Sequence, residues 1–183
     1  MNLLDLLPIV LIVGYGVAGY FTGVVRRLIG LLALWVAFLA ANRMGLQAGG
    51  ILQQSSNFET PDARIYGFFG IVVVLLLAIE GATQLAHSQI QIEAIVLNRV
   101  TGVIVGVLTG FMLSIVVTQE LIAAGNPVGG GQLDNLQAKI RDATQSSHLA
   151  VPLHHALGKP VIIIFQPVLP GDPQIFFGPG PVT

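Results

Sequence analysis

Long apolar runs without a charged side chain fill most of the first two thirds of this sequence and limit its fold more than any other feature. The two longest such runs cover residues 6–25 and 100–118. A bilayer core of roughly 30 Å is crossed by about 20 helical residues at about 1.5 Å each. The pattern therefore predicts helices that cross a membrane.

Composition supports lipid as the solvent of this chain. Only 9% of the 183 residues are charged and 54% are hydrophobic, whereas about a quarter of a soluble domain is charged. The net charge of −1 supplies no basic field for nucleic acid, and the absence of cysteine removes thiol chemistry. No nucleophile with a base, phosphate loop or metal cage is recognisable. We expect neither an enzyme nor a site for a cofactor, a metal or nucleic acid.

The spacing of charges predicts an all-α membrane domain over residues 1–125, built as a bundle of four transmembrane helices. The expected spans cover about residues 4–25, 28–44, 65–87 and 95–119. Residues 45–64 have the polar composition of a surface loop, and Ser88 to Glu93 form a short polar connection.

Residues 126–183 form a different, Pro-rich segment that contains eight of the ten prolines. Within it, Leu133, Leu136, Ile140 and Ala143 recur at helical spacing, which predicts a short amphipathic helix. The apolar stretch 161–169 is too short to span and is broken by proline, so we expect it to pack on the bundle or lie at the interface.

Glycines at intervals of four predict close packing between helices. Gly102, Gly106 and Gly110 lie on one face of the fourth span, and Gly19 and Gly23 repeat the pattern in the first. We expect the first and fourth spans to touch there. A substrate path opened by small residues is the alternative.

Four charged residues are candidates for a functional role. Glu80 is placed at membrane depth, where a charge costs on the order of 3 kcal/mol, and its candidate partners are Arg99 and Arg43. A proton or ion relay and simple interfacial exposure are the alternatives. Asp5 is expected to cap the first helix, and Arg26 to anchor its end.

Two motifs resemble those of the colicin V production proteins, small multi-span bacterial inner-membrane proteins. The first is Asp5, then Thr22-Gly23-Val24-Val25-Arg26, then Trp35; the second is Asn98-Arg99-Val100-Thr101-Gly102, continuing through Gly106 to Thr109-Gly110. Thr22 and Thr109 stand where the family often has a basic residue, and Asn98 where it often has Asp. The resemblance covers residues 1 to about 125 and implies association with toxin production or export and with envelope maintenance. Related four-span modules anchor a periplasmic serine protease, for which this tail is too short.

Together these features predict a non-catalytic scaffold or accessory subunit of the bacterial cytoplasmic membrane. Its expected partners are the lipid bilayer and other membrane proteins or further copies of itself. A small transporter or channel using the intramembrane polar residues is the alternative. The short connection at Arg26 and Arg27 places both termini outside the cytoplasm, although a plain count of basic residues over all segments favours the opposite orientation.

Overall fold

The computed structural model describes residues 2–56, 58–86, 95–129 and 133–179, and all regular structure in them is helical. Six helices follow one another along the chain: α1 Leu3–Ser56, α2 Thr60–Ala86, α3 Ile95–Gly125, α4 Asn135–Gln145, α5 Ala150–Phe165 and α6 Pro173–Phe176.

Three helices of the described residues are long and apolar enough to cross a membrane. The most apolar windows of α1, α2 and α3 have mean hydropathies of 2.0, 2.3 and 2.4. The pair α4 and α5 passes the same test together, but the two helices meet at an angle of 85°. The count of candidate spans is therefore three, or four if this bent pair is one span.

Helix α1 is broken at Gly23, which has φ 76° and ψ 176°. Glycine reaches this positive φ without the steric cost that a Cβ atom brings. The break divides α1 into a first arm, residues 3–22, and a second arm, residues 24–56. Each arm packs on a different helix.

The first arm runs antiparallel to α3. Gly19 lies on Gly102, and a Cβ atom on Gly110 would overlap the carbonyl oxygen of Leu11. Residues later in the first arm therefore contact residues earlier in α3, which shows that the two helices are antiparallel.

The second arm runs antiparallel to α2, because Gly49 contacts Ala63 while Gly30 lies near the Glu80 carboxylate. The far end of this arm, at Gln53, lines the same cavity as Asn126 at the end of α3. Since the first arm begins beside that end of α3, the chain reverses direction at Gly23.

The prediction of a surface loop over residues 45–64 was wrong for most of its length. The second arm continues to Ser56, α2 begins at Thr60, and α3 continues to Gly125, so helix occupies most of the predicted loop 45–64. Polar residues are compatible with a helix that extends from the bilayer into water, which their composition alone does not distinguish from a loop. Residue 87 and the connection Ser88 to Glu93 lie outside the described residues.

The C-terminal segment contains the predicted amphipathic helix as α4, and also α5, which was not predicted. Helix α5 contains two prolines, Pro152 and Pro160. Pro152 lies in the first turn, where the missing N–H costs little. Val161, Phe165 and Leu169 are buried in the hydrophobic core, so the stretch 161–169 packs on the bundle.

An aromatic core joins this segment to the helices. Phe38, Phe68, Phe165 and Phe177 have no solvent exposure. The ring of Phe38 lies 6.2 Å from Phe68 and 6.0 Å from Phe165, and Phe68 lies 5.5 Å from Phe177. Residues 161–177 thus share one core with the second arm and α2.

Candidate functional site

The reversal at Gly23 is closed by a side chain from α3. The backbone N–H of Val24 donates to Asn98 Oδ1 at 2.8 Å, so Asn98 caps the second arm in the way an N-cap residue does. A Cβ atom on Gly23 would come within 2.6 Å of that same amide oxygen. Both the positive φ and this close approach require glycine here.

Two arginines directly after the turn bind Glu80. Arg27 Nη2 lies 3.1 Å and Arg26 Nη2 3.5 Å from Glu80 Oε2. Arg26 also donates to the Glu80 carbonyl oxygen at 2.9 Å, and Arg27 Nε donates to Thr22 Oγ1 at 3.0 Å. We call Thr22, Arg26, Arg27, Glu80 and Asn98 the turn cluster; it joins both arms of α1 to α2 and α3.

The predicted pairing of Glu80 with Arg99 or Arg43 was wrong, because Arg26 and Arg27 take that role. Arg99 instead lies over the ring of Tyr20, with its Cζ atom 5.3 Å from the centroid. The spacing of charges along the sequence did not indicate that the chain turns back at Gly23. That reversal carries both arginines to the end of α2.

The salt bridges predict coupling between Arg27 and Glu80. We expect the stability losses of Arg27→Gln and Glu80→Gln to be non-additive, with the double variant less damaged than their sum by about 0.5–3 kcal/mol. Equilibrium unfolding in detergent measures this cycle. Arg99→Gln is the matched control, and its stability loss should add to that of Glu80→Gln. If the losses were additive in both cycles, the ion pair between Arg27 and Glu80 would not contribute to stability.

The five predicted packing glycines lie along the contact between the first arm and α3. Gly19 meets Gly102, Gly106 meets the backbone of Tyr15, and Gly110 meets that of Leu11. Gly23, at the turn, approaches Gly102. Backbone contacts backbone at each of these glycines, so even the methyl group of an alanine would overlap the neighbouring helix.

Asp5 is buried at the opposite end of the bundle and caps α5. Its carboxylate accepts from Ser147 Oγ at 2.6 Å and from the backbone N–H groups of His148 and Leu149 at 3.1 and 2.9 Å. These groups precede α5, whose first N–H groups have no partner within the helix.

The prediction that Asp5 caps the first helix is confirmed, and the second role at α5 is additional. The Asp5 carboxylate accepts from the Asn2 N–H at 3.1 Å, and Asn2 Oδ1 accepts from the Asp5 N–H at 3.0 Å, which is the reciprocal pattern of a capping box. From the sequence alone, capping could be predicted only for the helix that contains Asp5. The contact with α5 could not be predicted, because α5 lies in the C-terminal segment.

A cavity of about 560 Å³ lies where the α1–α2 connection meets α4, and two of its lining residues are Glu59 and Asp134. Burial raises the pKa of Asp134 to about 6, and a hydrogen bond that protonated Asp134 donates to Glu59 and the negative charges of Glu59 and Asp62 add to the shift. The proton is thus held more tightly by the folded protein than by the unfolded chain.

This raised pKa predicts a pH-dependent stability. Since the folded protein binds the proton more strongly, stability falls as the pH rises from about 4 to about 6. We expect Asp134→Asn, which keeps a capping side chain for α4, to raise Tm by a few degrees at about pH 7.5 and to leave it unchanged at about pH 4. Asp142→Asn, an exposed site on the same helix, is the control. Equal Tm differences at both pH values would contradict the assignment.

Glu120 was not singled out by the sequence beyond marking the end of a charge-free run. The side chain is fully buried on α3, and neither carboxyl oxygen has a hydrogen-bond partner among the described residues. In this it differs from Glu80 and Asp5, whose oxygens are bound. Nowhere in the described ranges do three His, Cys, Asp or Glu residues gather in a way that could hold a metal ion.

Comparison with protein families identifies the chain. The model of the colicin V production protein family matches residues 4–153. The chain belongs to the colicin V production protein family. No curated protein and no solved structure shows a significant similarity to it. The part matched to the colicin V production proteins contains Asp5, the turn cluster and the glycine contacts.

The structure gives a physical role to two departures from the family pattern. Asn98 stands where these proteins often have Asp, and both side chains offer an oxygen to a helix N-terminus. The capping of the second arm therefore survives the substitution. Thr22, at a position often basic in the family, accepts from Arg27.

Proposed function

We propose that this colicin V production family member is a non-catalytic scaffold or accessory subunit for toxin production or export in the bacterial cytoplasmic membrane. One observation carries the proposal: its charged candidates are used for internal contacts. Glu80 is bound by Arg26 and Arg27, and Asp5 by the segment that begins α5. Groups bound in this way stabilise the bundle and are not free to react with a substrate.

The proposed architecture has four spans, with the two arms of α1 each crossing the bilayer. A straight helix of 54 residues would extend about 81 Å, far beyond a hydrocarbon core of roughly 30 Å. The reversal at Gly23 resolves this mismatch. Ser56, Thr60 and α4 then lie on the same side as the N-terminus, which the Arg26–Arg27 connection predicts to be outside the cytoplasm.

The surface of α2 supports a role in association with other membrane proteins. Only 22% of its most apolar window is buried inside the bundle, against 44% for α3. Val74 and Leu77 on this helix are 64% and 69% exposed. An outward surface of this kind faces lipid, a second copy or a partner subunit.

A small transporter or channel is the second candidate, and Glu120 is the observation that favours it. A buried carboxyl group without a bound partner is costly and, at membrane depth, is typical of proton or ion pathways. The two candidates therefore differ in what Glu120→Gln does.

Toxin-secreting cells that lack this chain and carry a plasmid copy test both candidates. A photo-cross-linker is placed at Val74 or Leu77, with buried Phe68 as the control position, and toxin secretion is measured in parallel. The scaffold account expects adducts with a toxin-export protein or with a second copy from the exposed positions only, and normal secretion by Glu120→Gln. If Glu120→Gln folds and assembles normally yet loses secretion, and proteoliposomes lose an ion flux, the transporter is correct.

A further inference from the structure

We propose that α5 and residues 166–178 form a re-entrant segment, which enters the bilayer from one face, places the outer side of α5 among lipid acyl chains and leaves by the same face. The inference rests on the membrane location of the bundle and not on its role as a scaffold. The partner it names is the bilayer itself.

The path of the chain into this segment follows from two sets of contacts. Ser147 and Leu149 bind Asp5 at the very start of the first arm. At the other end of α5, the ring of Phe165 lies 6.0 Å from those of both Trp35 and Phe38. Both of these residues lie inside the uncharged run 28–42, so the end of α5 reaches membrane depth.

The path out returns along the second arm and α2. Asn42 Nδ2 donates to the Leu169 carbonyl oxygen at 2.9 Å. The ring of Phe176 then lies 5.6 Å from Phe68, and Arg64 donates to the Gly178 carbonyl oxygen. These contacts run back toward the end of the bundle where α4 lies, so the segment does not cross.

The outward side of α5 has the composition of a lipid-facing surface. On a helix of about 3.6 residues per turn, the exposed residues opposite the buried face form an apolar strip: Pro152, Ala156, Leu157, Pro160, Ile163 and Ile164. Ile163 alone is 59% exposed. Exposed His155, Lys159 and Gln166 form one polar edge, the arrangement of a helix lying at the membrane interface with a snorkelling lysine.

At the ends of this segment several backbone polar groups find partners inside the protein, as the bilayer requires. At the start of α5, Asp5 accepts from three consecutive N–H groups, those of His148, Leu149 and Ala150. Past its end, Gln166 N–H donates to the Ile162 carbonyl at 2.7 Å and Asn42 binds Leu169. These backbone groups are therefore bound within the protein.

Nitroxide labels on single cysteines in this cysteine-free chain test the proposal. The full-length protein is placed in vesicles of phosphatidylethanolamine and phosphatidylglycerol, with labels at Ala156, Ile163 or Ser146. Labels at Ala156 and Ile163 should collide with dissolved oxygen several-fold more, and with a water-soluble nickel chelate several-fold less, than the label at Ser146. Thiol labelling from one side should reach Ser146→Cys and Gln174→Cys alike.

Three results would overturn the proposal. Nickel collisions at Ile163 equal to those at Ser146 would place α5 in water. Low collision rates with both reagents would mean that protein, such as a second copy, covers this face. Labelling of Ser146→Cys and Gln174→Cys from opposite sides would make α4 and α5 a complete bent span. Each readout is independent of toxin secretion, so failure here leaves the scaffold proposal to its own test.

Discussion

Replacement of Gly106 by leucine should prevent the first arm of α1 from packing on α3. Even the Cβ atom would overlap the carbonyl oxygen of Tyr15, and backbone cannot move aside as a side-chain tip can. Overpacking of a core costs typically about 1–3 kcal/mol, and each kcal/mol shifts Tm by about 2–4 °C in a chain of this size. We expect Gly106→Leu to lower Tm by about 10 °C or to yield no monodisperse protein at all. Thermal unfolding with size-exclusion chromatography in detergent measures both.

Gly14→Leu provides the matched control, since it makes the same change in the same bundle. A Cβ atom on Gly14 meets nothing within 4 Å, so this variant should unfold near the wild-type temperature. If both leucine variants behaved alike, general intolerance of bulk in these helices would replace the close contact as the explanation.

Substitution of Asp5 by alanine should release the start of α5 from the bundle. The change removes the acceptor of several N–H groups and of the Ser147 hydroxyl, which are partly or fully buried, and unsatisfied buried donors are expensive. We expect Asp5→Ala to expose residues 146–149 to limited proteolysis, with cleavage at least several-fold faster than in the wild type.

Asp172→Ala is the control for this loss of a cap. Asp172 Oδ1 accepts from Gln174 and Ile175 at 3.1 and 3.2 Å, but these bonds serve only the short, exposed start of α6. Asp5→Asn keeps one acceptor and should cleave at an intermediate rate. Unchanged cleavage in Asp5→Ala would show that the hydrophobic contacts of Phe165 alone hold α5.

The features that the sequence predicted correctly depend on local composition and spacing. Apolar runs without charges are sufficient to indicate helices of membrane-spanning type, and the recurrence of glycine at every fourth position placed Gly102, Gly106 and Gly110 on one helix face. That face does lie on the first arm, at Gly19 and its neighbours. Family membership was also recognisable, from motifs around Gly23 and Asn98.

The partners of the charged groups could not be predicted without knowing the path of the chain. Glu80 meets arginines of α1, and Asp5 meets the start of α5; both pairs lie so far apart in the sequence that charge spacing carries no information about them. Helix α5 was not predicted, because only the apolar stretch 161–169, which Pro167 interrupts, was considered in that region.

Helix α1 reverses at Gly23, and we propose that it crosses the membrane twice. Single cysteines at Leu3, which is 84% exposed, and at Ser56 test it in intact spheroplasts with a membrane-impermeant thiol reagent. Both residues lie at the ends of α1, so two crossings place them on the same side and one crossing places them on opposite sides. The account predicts that Leu3→Cys and Ser56→Cys are both labelled or both protected until lysis; labelling of only one would contradict it.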